Sequence, residues 1–171
     1  MDVTAEQIIR HFDLRPLADE GGMFRQTYLA AERIPHDALP PRYPHDKPLG
    51  TAIYYLLTDA PDSFSELHSL PTDEVYHFYA GDPVEMLLLY PDGRGERVRL
   101  GADFMNGQQV QFVVPRDVWQ GSRLLPGGRW ALMGTTMAPG YTDSDYFGGE
   151  RAELLARYPQ FARAIERLTR P

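Results

Sequence analysis

Between residues 51 and 138 the chain repeats one pattern, a short apolar or alternating segment followed by turn-forming residues, and this pattern limits its fold most strongly. The turns include Pro91-Asp92-Gly93 and Pro126-Gly127-Gly128, whose residue types favour tight reversals of the backbone. Short strands at spacings of roughly ten residues predict a β-sandwich or barrel rather than alternating strands and helices. The predicted strand segments are 51–58, 64–70, 74–79, 84–90, 96–100, 109–114, 118–125 and 129–138.

Helical patterns flank this strand-rich region. Thr4 and Gln7 have the spacing of a capping box and predict a helix over 4–14. Apolar residues at helical spacing near the other end predict helices over about 148–169. With barrel strands over about 22–140, the whole 171-residue chain is predicted to be a single domain. The predicted fold class is therefore mainly β, with short N- and C-terminal helices.

Residues 31–50 contain five prolines and few apolar residues, which predicts a long loop. Loops of this length are uncommon inside a compact domain and are often functional or mobile. Such a segment could cover a pocket or reach a partner subunit, and a disordered surface loop is the alternative.

Composition excludes several classes of function. The sequence contains no cysteine, which rules out disulfides, thiolate catalysis, iron–sulfur clusters and cysteine-ligated zinc. A net charge of −7 disfavours nucleic acids and anionic membrane surfaces as partners. No apolar run approaches the ~20 residues that cross a bilayer, and the polar N-terminus lacks the apolar core of a signal peptide. We therefore expect a cytoplasmic protein without nucleic-acid or membrane partners.

Two imidazoles and a carboxylate are concentrated in one short stretch. Glu74 follows His68 by six residues, and His77 follows Glu74 by three. A hairpin that turns at Pro71-Thr72-Asp73 would bring His68 and Glu74 together. A carboxylate that bonds one imidazole nitrogen fixes the tautomer and raises the basicity of the other nitrogen. This pair is therefore predicted to be catalytic, with a purely structural hydrogen bond as the alternative.

A second stretch, 107–121, predicts a strand, a tight turn and another strand, with Trp119 and Gln120 soon after the turn. Gln120 is predicted to hydrogen-bond a ligand. Trp119 is predicted to form a pocket wall and stack on a sugar or aromatic ring, with plain core packing as the alternative. Four more aromatic residues are predicted to bind the ligand, with core packing as the alternative for each. They are Phe24, Tyr28, Tyr54 and Tyr76.

These two stretches resemble the motifs of the cupin superfamily. The first cupin pattern, His-x-His-x(3,4)-Glu-x(6)-Gly, is matched at His68, Glu74 and Gly81. The second, Gly-x(5)-Pro-x-Gly-x(2)-His, is matched more loosely, at Pro115 and Gln120.

More specifically, the chain resembles the Cupin_5 subfamily, long described as a domain of unknown function. The resemblance implies a double-stranded β-helix, which is a jelly-roll barrel with a pocket at its mouth, and a homodimer. It also implies structural similarity to sugar-nucleotide epimerases, whereas activities within the subfamily are mostly unassigned. The blocks that carry the resemblance lie at 21–28, 51–57, 73–83, 114–121 and 137–141.

The chain departs from the metal-binding form of the cupin pattern. Leu70 stands where the pattern has its second His, and Gln120 stands where it has its third. An apolar side chain cannot ligate, and a neutral amide oxygen is a poor ligand for a transition metal. The donors left for a metal are His68, Glu74 and Gln120. No cofactor is therefore expected to be required, and a divalent metal is the alternative.

Strand alternation decides the direction of His77. Because successive side chains point to opposite faces, His77 points outward if Glu74 points inward. A bulge between them would turn His77 inward, as a ligand-binding residue or a further metal ligand. Otherwise His77 would pair within a dimer interface or in the layer behind the pocket wall.

Three functional hypotheses are compatible with these residues. The leading one is a cupin that binds a small polar or carbohydrate-like molecule. If it is an enzyme, a sugar or sugar-derivative epimerase or isomerase fits best, with His68 as base, Glu74 orienting it and a tyrosine as acid. The alternatives are a non-catalytic metabolite-binding module and a metal-dependent oxygenase or isomerase.

Overall fold

The computed structural model describes residues 3–170, within which the chain forms thirteen strands and three α-helices. The strands are β1 (Arg15–Pro16), β2 (Met23–Leu29), β3 (Arg33–Ile34), β4 (Lys47–Pro48), β5 (Thr51–Thr58), β6 (Ser65–Ser69), β7 (Glu74–Gly81), β8 (Val84–Leu89), β9 (Gly95–Leu100), β10 (Gln111–Val114), β11 (Trp119–Leu124), β12 (Trp130–Met137) and β13 (Phe147–Gly148). The helices are α1 (Ala5–Phe12), α2 (Arg151–Arg157) and α3 (Ala162–Arg167).

Two antiparallel sheets hold most of these strands. The first sheet has the order β1-β2-β5-β12-β7-β10, and the second has the order β13-β6-β11-β8-β9. A separate two-stranded ladder joins β3 and β4. From β5 to β8 and from β10 to β12, consecutive strands alternate between the two sheets, as in a jelly roll. The predicted mainly β fold with short helices near both ends is confirmed.

The main core lies between the two sheets, where each strand turns its apolar face. Strand β8 shows the alternation most clearly. Val84, Met86 and Leu88 belong to the interior cluster, whereas Leu87 and Leu89 belong to a cluster on the outer face of the second sheet. Strand β8 is therefore apolar on both faces because both faces are covered.

Helices cover the outer faces of both sheets. Leu154 of α2 and Ile165 of α3 pack in the outer cluster of the second sheet. Ile8 of α1 packs with Leu56 and Leu132 on the outer face of the first sheet. Among the described residues, no helix is long and apolar enough to cross a membrane.

The first helix begins as the sequence predicts. The Gln7 N–H donates to the Thr4 hydroxyl at 3.3 Å, and the Thr4 N–H donates to the Gln7 side-chain oxygen at 2.9 Å. The helix ends at Phe12, slightly before the predicted 14, because Asp13 adopts a left-handed conformation with φ of 50°. The first two residues and the last residue of the predicted domain lie outside the described part of the chain.

The proline-rich segment 31–50 is ordered, so its interpretation as a disordered surface loop is wrong. It contains β3, β4 and a short 3-10 helix. The Tyr43 hydroxyl lies 2.8 Å from the Thr72 hydroxyl, and the Arg42 Nε donates to the Pro71 carbonyl at 3.0 Å. These contacts fix the segment to the turn between β6 and β7.

Candidate functional site

A cavity of about 780 Å³, here called the chamber, lies at one end of the barrel. Its wall is formed by β2, by the first residues of β5 and β7, by the last residues of β12, and by the segment that follows β12. The wall residues that matter for its chemistry are Glu20, Phe24, Leu70, Glu74, Thr135, Tyr141 and Tyr146.

Glu20 brings a carboxyl group to the chamber wall from the segment before β2. Its Oε1 accepts a hydrogen bond from the Ser65 hydroxyl at 2.9 Å. The next residue, Gly21, has φ of +91°, and a Cβ there would lie 2.3 Å from the Phe64 carbonyl oxygen. Only glycine fits this turn, which directs Glu20 inward.

Glu74 brings a second carboxyl group from the start of β7. Its Oε2 accepts a hydrogen bond from the Gln120 Nε2 at 2.7 Å, and both side chains are buried. Glu74 and Gln120 come from facing sheets, so this bond crosses the barrel interior.

His68 lies immediately behind the wall. Its Nδ1 is 2.7 Å from the Glu66 carbonyl oxygen, which accepts from the Nδ1–H, so Nε2 carries the lone pair. That Nε2 is 4.0 Å from Glu20 Oε2, and the ring stacks on Tyr146 with 5.2 Å between centroids. The imidazole is 1% exposed and does not line the chamber, whereas Glu20 and Tyr146 do.

The prediction that Glu74 orients His68 is wrong in its detail, because the Glu66 carbonyl makes that hydrogen bond. A bulge in β6 is the cause. Ser65 pairs with Ser122 and His68 pairs with Gln120, so three steps along β6 match two along β11. The bulge turns both Ser65 and His68 toward the interior and places the Glu66 carbonyl beside the imidazole.

Burial shifts the pKa values of Glu20, Glu74 and His68. Burial raises the pKa of Glu20 to about 7. Burial, and then the charge of Glu20, raise the pKa of Glu74. Burial lowers the pKa of His68 below its ordinary value. Near neutral pH the imidazole is therefore uncharged, and Glu20 exchanges its proton readily.

The structure brings several predicted site residues together. Phe24 lines the chamber, whereas Gln120 and Tyr76 lie behind its wall. Gln120 is hydrogen-bonded to Glu74, which lines it. Tyr76 lies on the same face of β7 as Glu74 and is buried in the interior cluster. Burial, and then the charge of Glu74, raise the pKa of Tyr76 well above its ordinary value, so its hydroxyl stays protonated.

Four other predicted site residues do not line the chamber. Tyr54 lies on the outer face of the first sheet, 4.9 Å between ring centroids from Phe12. His77 also points outward, as alternation from Glu74 requires, and hydrogen-bonds two side chains there. Trp119 packs against the C-terminal helices, and Tyr28 is 55% exposed. Their roles in ligand binding remain predictions, without a contact to the chamber to support them.

Glu20, Ser65, Tyr141 and Tyr146 are site residues that the sequence analysis did not identify. Glu20 follows no strand or helix pattern, and its only signal is the Gly-Gly pair after it, which marks a special turn. The two tyrosines lie in the segment after the last long strand, where sequence shows no periodicity.

A polar group enclosed between two jelly-roll sheets, with the His and Glu of the first motif near one cavity, defines a cupin. The chain matches the family Cupin_5, described as "Cupin superfamily (DUF985)", over residues 6–147. It therefore belongs to the Cupin_5 family.

One curated protein is similar to this chain in sequence, and two solved structures are similar to it in fold. The uncharacterized protein YML079W of Saccharomyces cerevisiae is 33% identical over 99 residues, which are 56% of this chain and 48% of that protein. The chain thus spans about half the length of this curated relative. Protein SO0799 from Shewanella oneidensis has a TM-score of 0.85 and 29% identity over 99% of both chains. A hypothetical protein from Leishmania major has a TM-score of 0.87 and 26% identity, covering 99% of this chain and 100% of that one.

A more distant structure is the oxalate decarboxylase of Bacillus subtilis, which has Mn(II) centers. Its TM-score is 0.52 at 15% identity, over 91% of this chain and 37% of that one, which shows the fold alone. The donors in this chain do not fit such a center. Leu70 presents an apolar side chain to the chamber, and the Gln120 amide is held by Glu74. Within residues 3–170, no group of three or more His, Asp or Glu side chains is arranged to hold an ion.

Elemental analysis of protein purified without a His-tag should find less than one equivalent of iron, nickel, manganese or zinc per chain. The reason is that His68 and Glu74 alone are too few ligands for a closed transition-metal site. The double variant Leu70→His/Gln120→His supplies two imidazoles at the cupin ligand positions, and its metal content should rise to about one equivalent. A full equivalent of metal in the parent protein would show that this donor argument is wrong.

Proposed function

We propose that the chamber binds a small polar, carbohydrate-like molecule and moves a proton between its carbon atoms, as a sugar isomerase or epimerase does. The observation that supports this is the Glu20 carboxyl at the chamber wall, with the uncharged imidazole of His68 4.0 Å behind it. A carboxyl with a pKa of about 7 can both accept and release a proton at neutral pH. The base that meets the ligand is then Glu20, and His68 is its positioning residue and proton partner.

The proposed step is a keto–enol transfer. The Glu20 carboxylate removes a proton from a carbon beside a carbonyl, and the C–H electron pair forms the enediol double bond. Tyr141 lines the chamber, and burial raises its pKa to about 12, so its hydroxyl is available to protonate the carbonyl oxygen. Glu20 then returns the proton to the neighbouring carbon, the former carbonyl carbon. At the same time the Tyr141 phenolate takes the proton from the hydroxyl on the first carbon, whose C–O bond becomes the new carbonyl, so both residues regain their starting protonation. No external oxidant or reductant is required.

Deuterium incorporation from D2O, followed by NMR across a panel of aldoses, ketoses and keto acids, tests this reaction directly. Thermal-shift measurements first select the panel members that bind, because a ligand raises the melting temperature by mass action. In the parent protein, deuterium should enter at a carbon beside the carbonyl. Glu20→Gln should slow the exchange by about 10²–10⁴-fold, the usual contribution of a general base. His68→Gln should slow it and also move the pH at which the rate is half-maximal away from about 7.

His11→Gln is the matched control, because His11 is exposed on α1 and does not line the chamber. Its exchange rate and pH profile should equal those of the parent. Equal losses in His11→Gln and His68→Gln, or full exchange in Glu20→Gln, would contradict the proposed chemistry.

A non-catalytic binding module is the second candidate. It is favoured by two buried polar atoms inside the barrel, Gln120 Oε1 and Ser122 Oγ, which have no hydrogen-bond partner among the described residues. Such atoms are costly unless a ligand or water satisfies them. A ligand that raises the melting temperature while no panel member exchanges deuterium would support this candidate.

The homodimer, the cytoplasmic location and the sugar-epimerase kinship predicted from the sequence are parts of the same proposal. The exposed apolar side chains of Tyr79 and Val113, on the outer face of the first sheet, support a dimer contact there.

A further inference from the structure

The inner wall of the chamber has more hydrogen-bond acceptors than free donors. The Ser65 hydroxyl already donates to Glu20 at 2.9 Å, and the Gln120 amide donates to Glu74 at 2.7 Å. The Nδ1–H of His68 donates to a backbone carbonyl, which leaves its Nε2 as an acceptor. The groups that remain for a ligand are therefore mainly acceptors.

Gln120 provides an independent sign of a missing donor. Its side chain is on the inward face of β11 and is 1% exposed, yet its Oε1 has no hydrogen-bond partner within the described part of the chain. The Ser122 hydroxyl on the same face is also unpartnered there, but a hydroxyl can donate as well as accept, so only Gln120 indicates a missing donor. A buried carbonyl oxygen without a donor destabilises the folded protein. Gln120 does not line the chamber, but it holds Glu74, which does, so a donor that reaches past Glu74 would satisfy it.

The two carboxyl groups also lack a cation. Within residues 3–170, the one basic side chain in ion-pair distance of either Glu20 or Glu74 is His68, and burial keeps that imidazole uncharged. The buried Lys47 pairs with Asp145 instead. The other groups that face the two carboxyls are neutral: Ser65 and Tyr55 at Glu20, and Gln120, Thr135 and Tyr76 at Glu74.

Three arginines also line the chamber, and each contacts a group other than the two Glu carboxyls. Arg15 pairs with Asp13, which lines the chamber too, at 3.7 Å. Arg25 donates to the Phe12 carbonyl at 3.1 Å, and Arg33 donates to the Asp46 carbonyl at 2.7 Å. Asp19 and Asp143 are further lining residues, so the carboxyl groups of the wall outnumber its arginines.

We infer that the chamber takes a ligand with an ammonium group, which contacts the Glu20 and Glu74 carboxylates at the wall, beside the buried and half-satisfied Gln120 amide that holds Glu74. An ammonium supplies three donors and one positive charge, which suit two wall carboxylates that have no cation of their own among the described residues. The inference rests on the proposed function, because it names the substrate class of the same chamber: a small polyhydroxylated primary amine.

Isothermal titration calorimetry with glucamine and sorbitol tests this ligand class. The two probes are identical except that glucamine has a primary amine where sorbitol has a terminal hydroxyl. At pH 8 glucamine should bind at least about tenfold more tightly than sorbitol, as expected for a charge-assisted hydrogen bond. Its affinity should rise about tenfold from pH 6 to pH 8, because binding favours the ionised Glu20, whose pKa is about 7. Titrations in two buffers of different ionisation enthalpy should show about half a proton released at pH 7.

Glu74→Gln and Glu20→Gln should each remove most of the preference for glucamine over sorbitol. Circular dichroism of each variant checks that it is folded. Asp92→Asn is the matched control, because it removes one exposed carboxylate on a turn outside the chamber. This variant should prefer glucamine over sorbitol by the same factor as the parent protein. Sorbitol binding as tightly as glucamine, glucamine failing to bind at pH 8, or a preference that survives both Glu variants would overturn the inference.

These outcomes separate the inference from the proposed function. Binding and deuterium exchange of neutral sugars without a preference for amines would leave the proposed function standing and remove the inference. Proton-linked binding of glucamine, with no exchange on any ligand, would support the inference and remove the proposed catalysis.

Discussion

Lys47→Met should lower the free energy of unfolding by about 3–5 kcal/mol, the usual result of removing one member of a buried ion pair. The side chains of Lys47 and Asp145 are 1% and 2% exposed and lie in direct contact. Lys47 also donates to the Thr142 hydroxyl at 3.0 Å, and its Nζ is 5.5 Å from the centre of the Tyr43 ring. Without the cation, the Asp145 carboxylate would be left buried and unpaired. Urea unfolding followed by circular dichroism measures the loss.

The position of this pair makes the effect relevant to the chamber. Lys47 belongs to β4 in the proline-rich segment, and Asp145 belongs to the segment that carries Tyr141 and Tyr146 into the chamber wall. Asp145 also accepts from the Thr142 N–H at 2.7 Å. Breaking the pair should therefore weaken ligand binding as well as stability. The ion pair joins the proline-rich segment to the segment that carries Tyr141 and Tyr146, and without it these two segments are no longer held together.

Two controls separate the buried charge from ordinary packing. The double variant Lys47→Met/Asp145→Leu removes both charges, and its stability should lie within about 1 kcal/mol of the parent, because no unpaired ion remains. Arg94→Met breaks an exposed pair with Asp92, whose side chains are 70% and 55% exposed, and it should change stability by less than about 1 kcal/mol. A single Lys47→Met variant as stable as the parent would show that Asp145 finds water or another partner.

The strand spacing and the turn residues predicted a β-sandwich or barrel, whereas the jelly roll was implied by the family resemblance. Strand alternation predicted that His77 faces outward if Glu74 faces inward, and the structure shows this arrangement. The same rule separates Trp119 from Gln120, which were both predicted to meet the ligand although neighbours on a strand face opposite ways. Local periodicity therefore predicts which face a residue takes once one neighbour is fixed.

What sequence could not supply depends on contacts between distant segments. The bulge that turns His68 exists only because β6 pairs with β11 out of step. Glu20 reaches the chamber through a two-glycine turn, and nothing near it in sequence marks a carboxyl with an unusual pKa. The anchor of the proline-rich segment is Lys47, whose partner is almost a hundred residues away. Each of these depends on tertiary packing, which local patterns do not encode.

Glu20→Gln should gain stability relative to the parent as the pH rises from 4.5 to 7, by about 2–3 kcal/mol in total. The unfolded Glu20 loses its proton near 4.5, whereas burial raises its pKa in the folded protein to about 7. Between these values the folded parent binds more protons than the unfolded chain, so its free energy of unfolding falls with pH. Above 7 the difference stays constant, because both states are then ionised. The Glu20 side chain is 18% exposed, so the expected change in the free energy of unfolding is smaller than for a completely buried carboxyl.

The difference between variant and parent is the quantity to measure, because other groups also titrate in this range. Glu74 acts in the same direction, since burial and the Glu20 charge raise its pKa. His68 acts in the opposite direction, since burial lowers its pKa and protonation below about 6.5 favours the unfolded chain. Urea unfolding at steps from pH 4.5 to 8 gives the two curves. Glu153→Gln, on the exposed face of α2, is the matched control for the loss of one carboxylate at the surface. Parallel curves for Glu20→Gln and the parent would mean that the Glu20 carboxyl is already ionised well below pH 7, and the proposed proton transfer at this residue would lose its basis.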